Sequence, residues 1–433
     1  METGEKLKKI LVEWHQYQIP PLYPRHFDKS LSSGNEILSI IGARRSGKTF
    51  LCYQIIQELR AKHPADNVMY VNLEDERLHP LNGDELSLLW DTYLEVFAPD
   101  LGKPVTLFVD EIQNAGNWSK WARRITEQNH NLKLVITGSS SRMLSRDIAT
   151  ELRGRTLSFT VYPLSFREYL NAKKISLDLK QILYAPSRFH VKRQFNAYFK
   201  VGGFPATLTS EQPEQLLKEY YRVMFYRDLV ERYKVKNIKL LEDYLTLLLD
   251  QVACHYSVSA TASKLAEFGY SLSKNTLTNF TRYAQDAFLF FEATRHSYKG
   301  REQLRAPRKI YSIDHGLVQA VRFSFSEDYG RMMENIVFLS LKRQGFKIYY
   351  HKGNRECDFL AEDKGKIIQA IQVTKTLSQS KTKNREIEGL LEALSIHGLK
   401  EGLILTQDTV ESHKVGDKTI RTLPLWYWLL TLS

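Results

Sequence analysis

The sequence has few cysteines and no long hydrophobic run. Its three cysteines, Cys52, Cys254 and Cys357, lie far apart and lack metal-ligand spacing. This argues against a disulfide scaffold and predicts reduced thiols in a cytoplasmic protein. No apolar run follows the first residues, so no signal peptide is expected. The longest apolar stretch, 423–432, is shorter than the about 20 residues that a membrane helix needs, so no membrane partner is expected.

Acidic residues are outnumbered by basic ones. The 433 residues include 61 lysines and arginines against 49 acidic residues, a formal net charge of +12. Such an excess favours an anionic partner, and nucleic acid is the first candidate. A basic surface that serves only solubility is the alternative. The chain is too long for one core, and its length predicts about two to four domains.

The first third of the chain alternates between apolar segments and helical stretches. The opening segment 5–17 and segment 48–61 are predicted as helices. Short segments rich in β-branched residues are predicted as strands at 36–41, 68–73, 105–109 and 132–137. This alternation predicts a parallel sheet covered by helices on both faces. Charged helical segments follow over 164–235, and an α/β pattern returns after about residue 330.

A glycine-rich turn separates the first predicted strand from the helix that follows. It reads Gly42-Ala43-Arg44-Arg45-Ser46-Gly47-Lys48-Thr49 and matches G-x-x-x-x-G-K-[ST] at every fixed position. The glycines let backbone N–H groups face phosphates, and the helix N-terminus adds partial positive charge. Lys48 is expected to bridge the β- and γ-phosphates, and Thr49 to place its hydroxyl on Mg²⁺.

A second predicted strand ends in two carboxylates, Asp110 and Glu111. Asp110 is expected to hold Mg²⁺ through water, and Glu111 to polarise the attacking water as a general base. By itself, an apolar strand that ends in acidic loop residues is the more ordinary interpretation. The position of the pair 62 residues after Lys48 makes the functional interpretation more specific.

A third predicted strand ends in polar residues that are suited to sensing the γ-phosphate. Ser139 is favoured, with Thr137 nearly equivalent. Ligands of parallel sheets bind at the carboxyl ends of strands, so all three features are expected to meet in one crevice. Further on, Arg153 or Arg155 is a candidate arginine finger for a neighbouring subunit. A structural surface arginine is the equally weighted alternative.

With these features the chain resembles prokaryotic AAA-type ATPases that have a C-terminal domain of unknown function. The resemblance is found in the stretches "IIGARRSGKTF", "LFVDEIQNAGNW", "LVITGSSSRML", "LRGRTLSFTVYPLSFREYL", "YFKVGGFPA" and "RKIYSIDHGL". They are distributed over residues 40–317, and the resemblance extends over most of residues 36–373. The resemblance implies a P-loop domain, a small helical lid, and a C-terminal region with winged-helix and nuclease-like parts. It also implies ATP as the nucleotide and DNA association, and it favours Arg155 over Arg153 as the finger.

Residues 240–313 follow the element order of a winged helix: three predicted helices, then two strands joined by a basic loop. The third helix, capped by Ser273, and the loop supply the candidate DNA contacts, which are Lys274, Asn275, Thr278, Asn279, Arg282, Lys299, Arg301, Arg305 and Arg308. These residue types suit phosphate and base-edge contacts. A module that only packs between domains or mediates subunit contacts is the alternative.

Residues 331–375 resemble a restriction-type nuclease core, with Glu334 on a helix and Asp358 on a strand. Such a core needs a further acid-x-lysine to hold Mg²⁺ and orient water. Here Gln372 stands where the acid belongs and Thr374 where the lysine belongs. Lys375 is one residue out of place, and strand alternation points it to the opposite face unless a bulge intervenes. A nuclease-like fold with lost catalysis is therefore predicted, with DNA binding or subunit contacts as its remaining roles. Ordinary surface or helix-cap carboxylates are the alternative interpretation of Glu334 and Asp358.

The predicted fold class is α/β: a P-loop, AAA-type parallel sheet with a helical lid, then a winged helix and a restriction-endonuclease-like α/β domain. The predicted boundaries are 1–160, 161–236, 237–325 and 326–433. The expected function is ATP binding and hydrolysis with Mg²⁺, coupled to domain movement, with ATP/ADP, DNA and further copies of the chain as partners. Two alternatives stay open: an ATP-controlled signalling or defence switch that changes oligomeric state, and an ATP-regulated, metal-dependent DNA nuclease.

Overall fold

The computed structural model describes residues 3–32, 34, 36–78, 81, 83–140, 152, 154–179, 182–322 and 329–432. The chain divides into two compact units, Met1–Tyr162 with Asp286–Phe288, and Pro163–Gln285 with Leu289–Ser433. The first unit ends close to the boundary predicted at residue 160. The finer divisions predicted at residues 236 and 325 stay predictions.

A five-stranded, all-parallel sheet forms the centre of the first unit, in the order β2-β3-β4-β1-β5. Its strands are β1 (Ile37–Ile41), β2 (Val68–Asn72), β3 (Val105–Asp110), β4 (Leu132–Gly138) and β5 (Thr156–Thr160). Its helices are α1 (Thr3–Gln16), α2 (Lys48–Arg60), α3 (Gly83–Phe97) and α4 (Trp118–Gln128). Short 3₁₀ turns lie at Lys29–Ser32, Ala65–Asn67, Glu76–Leu78 and Ile112–Asn114.

The four strands predicted from the sequence are confirmed, and β5 is a strand that the sequence pattern did not reveal. Strands β1, β3 and β4 are buried at every residue. Their near-continuous apolar runs fit a parallel sheet that is covered on both faces. β5 forms an edge and is only partly buried, so its residues need not be continuously apolar.

The strand order brings the predicted functional segments to one edge of the first unit. β4 lies between β3 and β1, and all three run in the same direction. The glycine-rich turn follows β1, the two carboxylates end β3, and the polar segment ends β4. Because the carboxyl ends of parallel strands share an edge, these segments become neighbours although they are far apart in sequence.

The second unit begins with helices, as expected from its charged segments. They are α5 (Phe166–Ala172), α6 (Ser187–Val201), α7 (Pro213–Val223), α8 (Ile238–Asp250), α9 (Val258–Glu267), α10 (Lys274–Asp286), α11 (Gly300–Arg305), α12 (His315–Val321), α13 (Tyr329–Arg343), α14 (Ser380–His397) and α15 (Leu425–Thr431). A π-helix, Met224–Glu231, continues α7, and a 3₁₀ turn lies at Pro205–Leu208. Within the described residues no helix has the length and apolar character needed to cross a membrane.

Side-chain caps explain where several of these helices begin. Ser165 and Glu168 form a reciprocal capping box at α5. Asn237 caps α8 by accepting a hydrogen bond from the backbone N–H of Leu240. Ser257 and Asp314 cap α9 and α12 in the same way. Each cap stabilises its helix by about 1 kcal/mol.

A nine-stranded mixed sheet runs through the second unit, in the order β13-β14-β12-β11-β10-β9-β7-β8-β6. Its strands are β6 (His255–Tyr256), β7 (Phe290–Arg295), β8 (Arg308–Ser312), β9 (Lys347–Lys352), β10 (Glu356–Asp363), β11 (Lys366–Val373), β12 (Glu401–Thr406), β13 (Glu411–Val415) and β14 (Lys418–Pro424). The strands β9, β10 and β11 are antiparallel to one another, and β11, β12 and β14 are parallel.

Strands from both sides of the predicted boundary at residue 325 belong to this one sheet. β7 pairs in parallel with β9 through Thr294–Tyr349 and Arg295–Tyr350. The loop predicted to carry the wing contains the short helix α11. The hairpin β13–β14 was not predicted from the sequence, and the apolar C-terminal stretch forms α15.

Candidate functional site

The glycine-rich turn has a backbone shape that only particular residues adopt easily. Gly42 has φ 152°, and a Cβ on it would lie 2.2 Å from the carbonyl oxygen of Val161. Gly47, with φ 102°, precedes α2 and gives it no side-chain cap. The first N–H groups of α2 therefore have no capping side chain at this position, the arrangement that favours an anion.

Lys48 lies buried over the turn, with its side chain 5% exposed. Its Nζ donates to the carbonyl oxygens of Gly42 at 3.3 Å and Ala43 at 3.2 Å. The same nitrogen lies 3.6 Å from a carboxylate oxygen of Glu111. The ammonium group is thus held between the turn and the end of β3, as its predicted role requires.

Thr49 and Asp110 are in direct contact. The Thr49 hydroxyl donates to Oδ2 of Asp110 at 2.7 Å, and the Tyr70 hydroxyl donates to the same oxygen at 2.6 Å. Thr137 donates to the other carboxylate oxygen. Burial and the nearby charge of Glu111 raise the pKa of Asp110, and these three hydrogen bonds oppose that rise. The two predicted metal ligands, Thr49 and Asp110, are therefore adjacent.

Glu111 is held in a left-handed backbone conformation, φ 53°, directly after β3. Its N–H donates to Oγ1 of Thr137 at 3.0 Å, and Gln113 donates to its carboxylate. Burial raises the pKa of Glu111, but Lys48 and Gln113 outweigh it and leave the pKa lowered. An ionised carboxylate at neutral pH is what a general base needs.

The polar end of β4 contributes Thr137, which contacts both carboxylate residues. Ser139, the residue favoured from the sequence, is buried at 1% exposure one residue beyond β4. Both candidates thus lie at the carboxyl edge of the sheet, and Thr137 contacts both Asp110 and Glu111.

The remaining residues of the turn are spread between the core and the surface. Ala43 is fully buried, and Arg44 forms a 3.0 Å salt bridge with Glu74. Arg45 has φ 68°. The Ser46 hydroxyl is buried and has no hydrogen-bond partner within the described residues. A buried hydroxyl without a partner beside uncapped N–H groups fits a site built for an oxygen-rich ligand.

Arg155 lies away from this edge. Its backbone oxygen accepts from the N–H of Ile37, at the first residue of β1. Since the turn follows the last residue of β1, a strand of five residues, about 16 Å long, separates them. The guanidinium is exposed and paired with Glu127 at 2.5 Å. The structure therefore does not bring Arg155 to the site of its own chain, and Arg153 lies outside the described residues.

Sequence reasoning missed Tyr70 and Arg25 at this site. Arg25 donates to the backbone oxygens of Ser46, at 3.1 Å, and of Tyr162, at 2.5 Å, and so braces the turn. The segment around Arg25 carries no motif, so nothing in its sequence indicated this contact. Tyr70 lies on β2 and carries no motif either. It reaches Asp110 because β2 pairs with β3 in a register that places Asn72 beside Asp110.

In the second unit, Glu334 and Asp358 come together around a lysine. Nζ of Lys309, on β8, lies 2.9 Å from Asp358, 3.0 Å from Glu356 and 3.1 Å from Glu334. Tyr311 also donates to Glu334, at 2.7 Å. Sequence reasoning missed Lys309 because it lies 49 residues before Asp358. The predicted pair of acids is therefore neutralised by an ammonium group from another strand.

Burial and ion pairing change the pKa values of Lys309 and Glu334. Burial by itself lowers the pKa of Lys309, but Asp358 and Glu334 outweigh it and raise the pKa well above the ordinary value. Burial, together with Asp358, raises the pKa of Glu334 to about 7. Lys309 therefore stays charged at neutral pH, whereas Glu334 titrates near neutrality.

The other predicted nuclease positions do not complete a metal site. Gln372 accepts from the N–H of Asp358 at 3.1 Å and donates to Glu386. Thr374 follows the last residue of β11, and Lys375 is exposed, with its Nζ 5.4 Å from the ring of Tyr329. No group of three histidine, cysteine or acidic side chains in the described part of the chain is arranged to hold a metal ion.

The candidate DNA contacts lie on the surface of the second unit. Lys274, Asn275 and Arg282 are exposed on α10, where Ser273 accepts from the N–H of Thr276 as a cap. Lys299 precedes α11, and Arg301 and Arg305 lie on it, all exposed. The sequence prediction of a basic surface is thus compatible with their positions.

Comparisons with known proteins match both parts of the chain. A family model described as an AAA domain matches residues 34–170, and a domain of unknown function matches residues 192–328. Uncharacterized protein MJ1544 of Methanocaldococcus jannaschii is 36% identical over 411 residues, covering 92% of this chain and 89% of the relative. An uncharacterized protein of Haemophilus influenzae is 29% identical and covers 76% of this chain and 80% of the relative.

Two solved structures are distantly similar. A Walker-type ATPase of Pyrococcus abyssi has 15% identity and a TM-score of 0.43, covering 73% of this chain and 94% of that one. The Orc1 protein of Aeropyrum pernix, in complex with DNA, has 11% identity and a TM-score of 0.30, covering 73% and 90%. The chain belongs to the family of Uncharacterized protein MJ1544, and its N-terminal part is an AAA-type P-loop ATPase domain.

Proposed function

We propose that this protein binds and hydrolyses ATP with Mg²⁺, associates with DNA and couples its nucleotide state to movement of its C-terminal part. The observation that carries the ATPase half is the convergence of Lys48, Thr49, Asp110 and Glu111, which lie within contact distances of one another. The uncapped start of α2 and the partnerless Ser46 hydroxyl fit a triphosphate.

Each residue has a distinct role in this proposal. The N–H groups of the turn and Lys48 bind the phosphates, and Thr49 and Asp110 hold Mg²⁺. When bound, the cation neutralises charge on the phosphate oxygens. The Glu111 carboxylate accepts a hydrogen bond from the attacking water and thereby polarises it. Its lowered pKa keeps it ionised for this role.

Two substitutions separate nucleotide binding from turnover. Lys48→Ala is expected to weaken ATP binding and abolish hydrolysis, because it removes the ammonium group that lies over the turn. Glu111→Gln is expected to retain binding and lose turnover by at least about 100-fold. Titration with a fluorescent ATP analogue and phosphate release measure the two effects. Normal hydrolysis by Glu111→Gln would refute the assignment of the base.

The finger role of Arg155 is proposed between subunits, since Arg155 lies at the far end of β1 from its own turn. Mixing Arg155→Ala with Lys48→Ala protomers tests it, because a mixed interface can combine an intact turn with an intact arginine. Recovery of ATPase activity is expected. A mixture as inactive as either variant would remove Arg155 from the proposal.

The DNA half of the proposal is supported by the exposed basic residues of α10 and α11 and by the net charge of the chain. ATPase rates with branched, single-stranded and double-stranded DNA test it. Binding should weaken steeply as salt rises, because counterions are released from DNA. No stimulation together with no salt-dependent binding would refute DNA association and leave the ATPase half standing.

An oligomerisation switch is the second candidate function, favoured by the exposure of Arg155 and its distance from its own site. It requires that molecular size in solution follow nucleotide occupancy. Light scattering with ATP and with ADP distinguishes it from the first proposal. An unchanged size in both nucleotides would exclude it.

DNA cleavage is not part of the proposed function, because Lys309 neutralises the two acids that a nuclease would use for metal. Plasmid DNA incubated with the protein and Mg²⁺ or Mn²⁺ is expected to stay intact. Cleavage that is lost on Asp358→Ala would overturn this view and favour the ATP-regulated nuclease.

A further inference from the structure

A second anion site is suggested by an open pocket in the second unit, remote in sequence from the glycine-rich turn. The pocket has a volume of about 460 Å³ and lies beside the junction of β7 and β9. Its walls are formed by His255, Arg295, Glu302, Arg305, Ala306, Pro307, Tyr350 and Lys352. The volume falls within the range of small-ligand pockets, which is about 300–1,000 Å³.

The pocket wall is predominantly cationic. Three basic side chains, Arg295, Arg305 and Lys352, line it together with His255. Glu302 is the acidic residue in the wall, and its carboxylate forms a 3.3 Å salt bridge with Lys299. The single acid of the wall is therefore already paired with a cation from outside the pocket.

The two arginines differ from the other cations because neither makes a direct contact with an acid, and Glu302 attracts Arg295 only at longer range. Lys352 and His255 each lie 3.0 Å from a carboxylate oxygen of Glu356, so both have an acidic partner. Neither the Arg295 nor the Arg305 side chain forms a hydrogen bond or salt bridge to another residue in the parts of the chain that the structure describes. Nε of Arg295 is also buried without a hydrogen-bond partner.

A buried guanidinium N–H without an acceptor is costly, because protein interiors normally satisfy such donors. A ligand that supplied oxygen acceptors would remove this cost. Two guanidinium groups facing one pocket can donate several hydrogen bonds in a planar, forked geometry, which matches tetrahedral oxyanions. A phosphate group combines this geometry with up to two negative charges and accepts forked hydrogen bonds from arginine.

We propose that the pocket binds a phosphate group, held by Arg295 and Arg305. The phosphate can belong to a nucleic-acid strand or to a small phosphate compound. The site is distinct from the ATP site, since every residue that lines it lies in the second unit. It does not depend on the proposed association with DNA, although a nucleic-acid phosphate would extend that proposal.

The test uses the full chain with Lys48→Ala, so that the glycine-rich turn does not bind the probe. Inorganic pyrophosphate is titrated in a calorimeter against this parent and against the parent with Arg305→Ala. Because Arg305 is exposed and makes no described side-chain contact, its replacement should leave the fold intact. The dissociation constant is expected to rise by about tenfold or more, the equivalent of about 1.4 kcal/mol.

Arg301→Ala is the matched control, since Arg301 lies on the same helix, carries the same charge and does not line the pocket. It should change the dissociation constant by less than about twofold. Arg295→Lys keeps the charge but loses the forked donors, and should weaken binding as Arg305→Ala does. If Arg301→Ala weakens binding as much as Arg305→Ala, diffuse surface charge explains the affinity and the proposal fails.

Two oligonucleotides then identify the source of the phosphate. A short single strand with a 5′-phosphate and the same strand with a 5′-hydroxyl are used to displace pyrophosphate. Displacement by both indicates internal phosphates, displacement by the first indicates a terminal phosphate, and displacement by neither assigns the pocket to small phosphate compounds. Each of these results supports the site, whereas no binding of pyrophosphate to the parent overturns it. DNA association that fails while pyrophosphate binds would refute the DNA half of the proposed function and leave the pocket proposal standing.

Discussion

Replacing Lys309 by methionine tests whether one ammonium group holds the acidic cluster of the second unit together. Lys309 is 4% exposed and lies within 3.1 Å of carboxylate oxygens of Glu334, Glu356 and Asp358. Methionine preserves the length of the side chain and removes the charge. Glu356 keeps His255 and Lys352 as partners, so the penalty falls mainly on the two buried acids, Glu334 and Asp358.

Removing one partner of a buried ion pair typically costs about 3–5 kcal/mol, and we expect the free energy of unfolding of Lys309→Met to fall by this amount at about pH 8. The loss should be smaller at about pH 5.5. The folded-state pKa of Glu334, already raised to about 7, would rise further without Lys309. A carboxyl group with a raised folded pKa takes up a proton on folding, so it destabilises the fold increasingly as pH rises from its unfolded pKa to its folded pKa.

Urea unfolding at both pH values measures this effect, and hydrogen exchange of peptides from β8 and β10 assigns it to the second unit. Lys414→Met is the matched control, because Lys414 is exposed on β13. Adding Glu334→Gln to Lys309→Met should recover part of the loss, since it removes an unpaired charge. If Lys309→Met unfolds at the same urea concentration as Lys414→Met at about pH 8, the ammonium group does not hold the cluster and the reasoning is wrong.

Two further predictions concern the ATP site. Tyr70→Phe removes a hydrogen bond that lowers the pKa of Asp110. The acid limb of the ATPase pH profile should therefore move to higher pH, and an unchanged limb would contradict the role of Tyr70. Gly42→Ala places a Cβ 2.2 Å from the Val161 carbonyl oxygen at a φ of 152°, so nucleotide affinity measured by fluorescence titration should fall by about tenfold or more. Gly300→Ala, with no atom within 4 Å of the added Cβ, should bind normally.

The ATP site was largely predictable from the sequence, because most of its residues belong to short motifs of neighbouring residues. A strand, a glycine-rich turn and a helix follow one another between residues 36 and 61, and the phosphate-binding geometry depends on that short stretch alone. The carboxylates that end β3 were predictable for a similar reason, since their position at the end of an apolar run defines their place in a parallel sheet. The five-stranded sheet was predictable except for β5, whose residues lack a continuous apolar pattern.

The tertiary structure decided which distant residues meet. Lys309, Tyr70 and Arg25 carry no motif, and they act through contacts with residues between 21 and 137 positions away. Strand pairing likewise merged β7 and β9 into one sheet and placed Arg155 at the edge opposite the turn. Local propensity and hydrophobic period predict whether a segment is a helix or a strand and which of its faces is buried. The residues that pack against that buried face depend on the packing of the whole chain, which no single segment encodes.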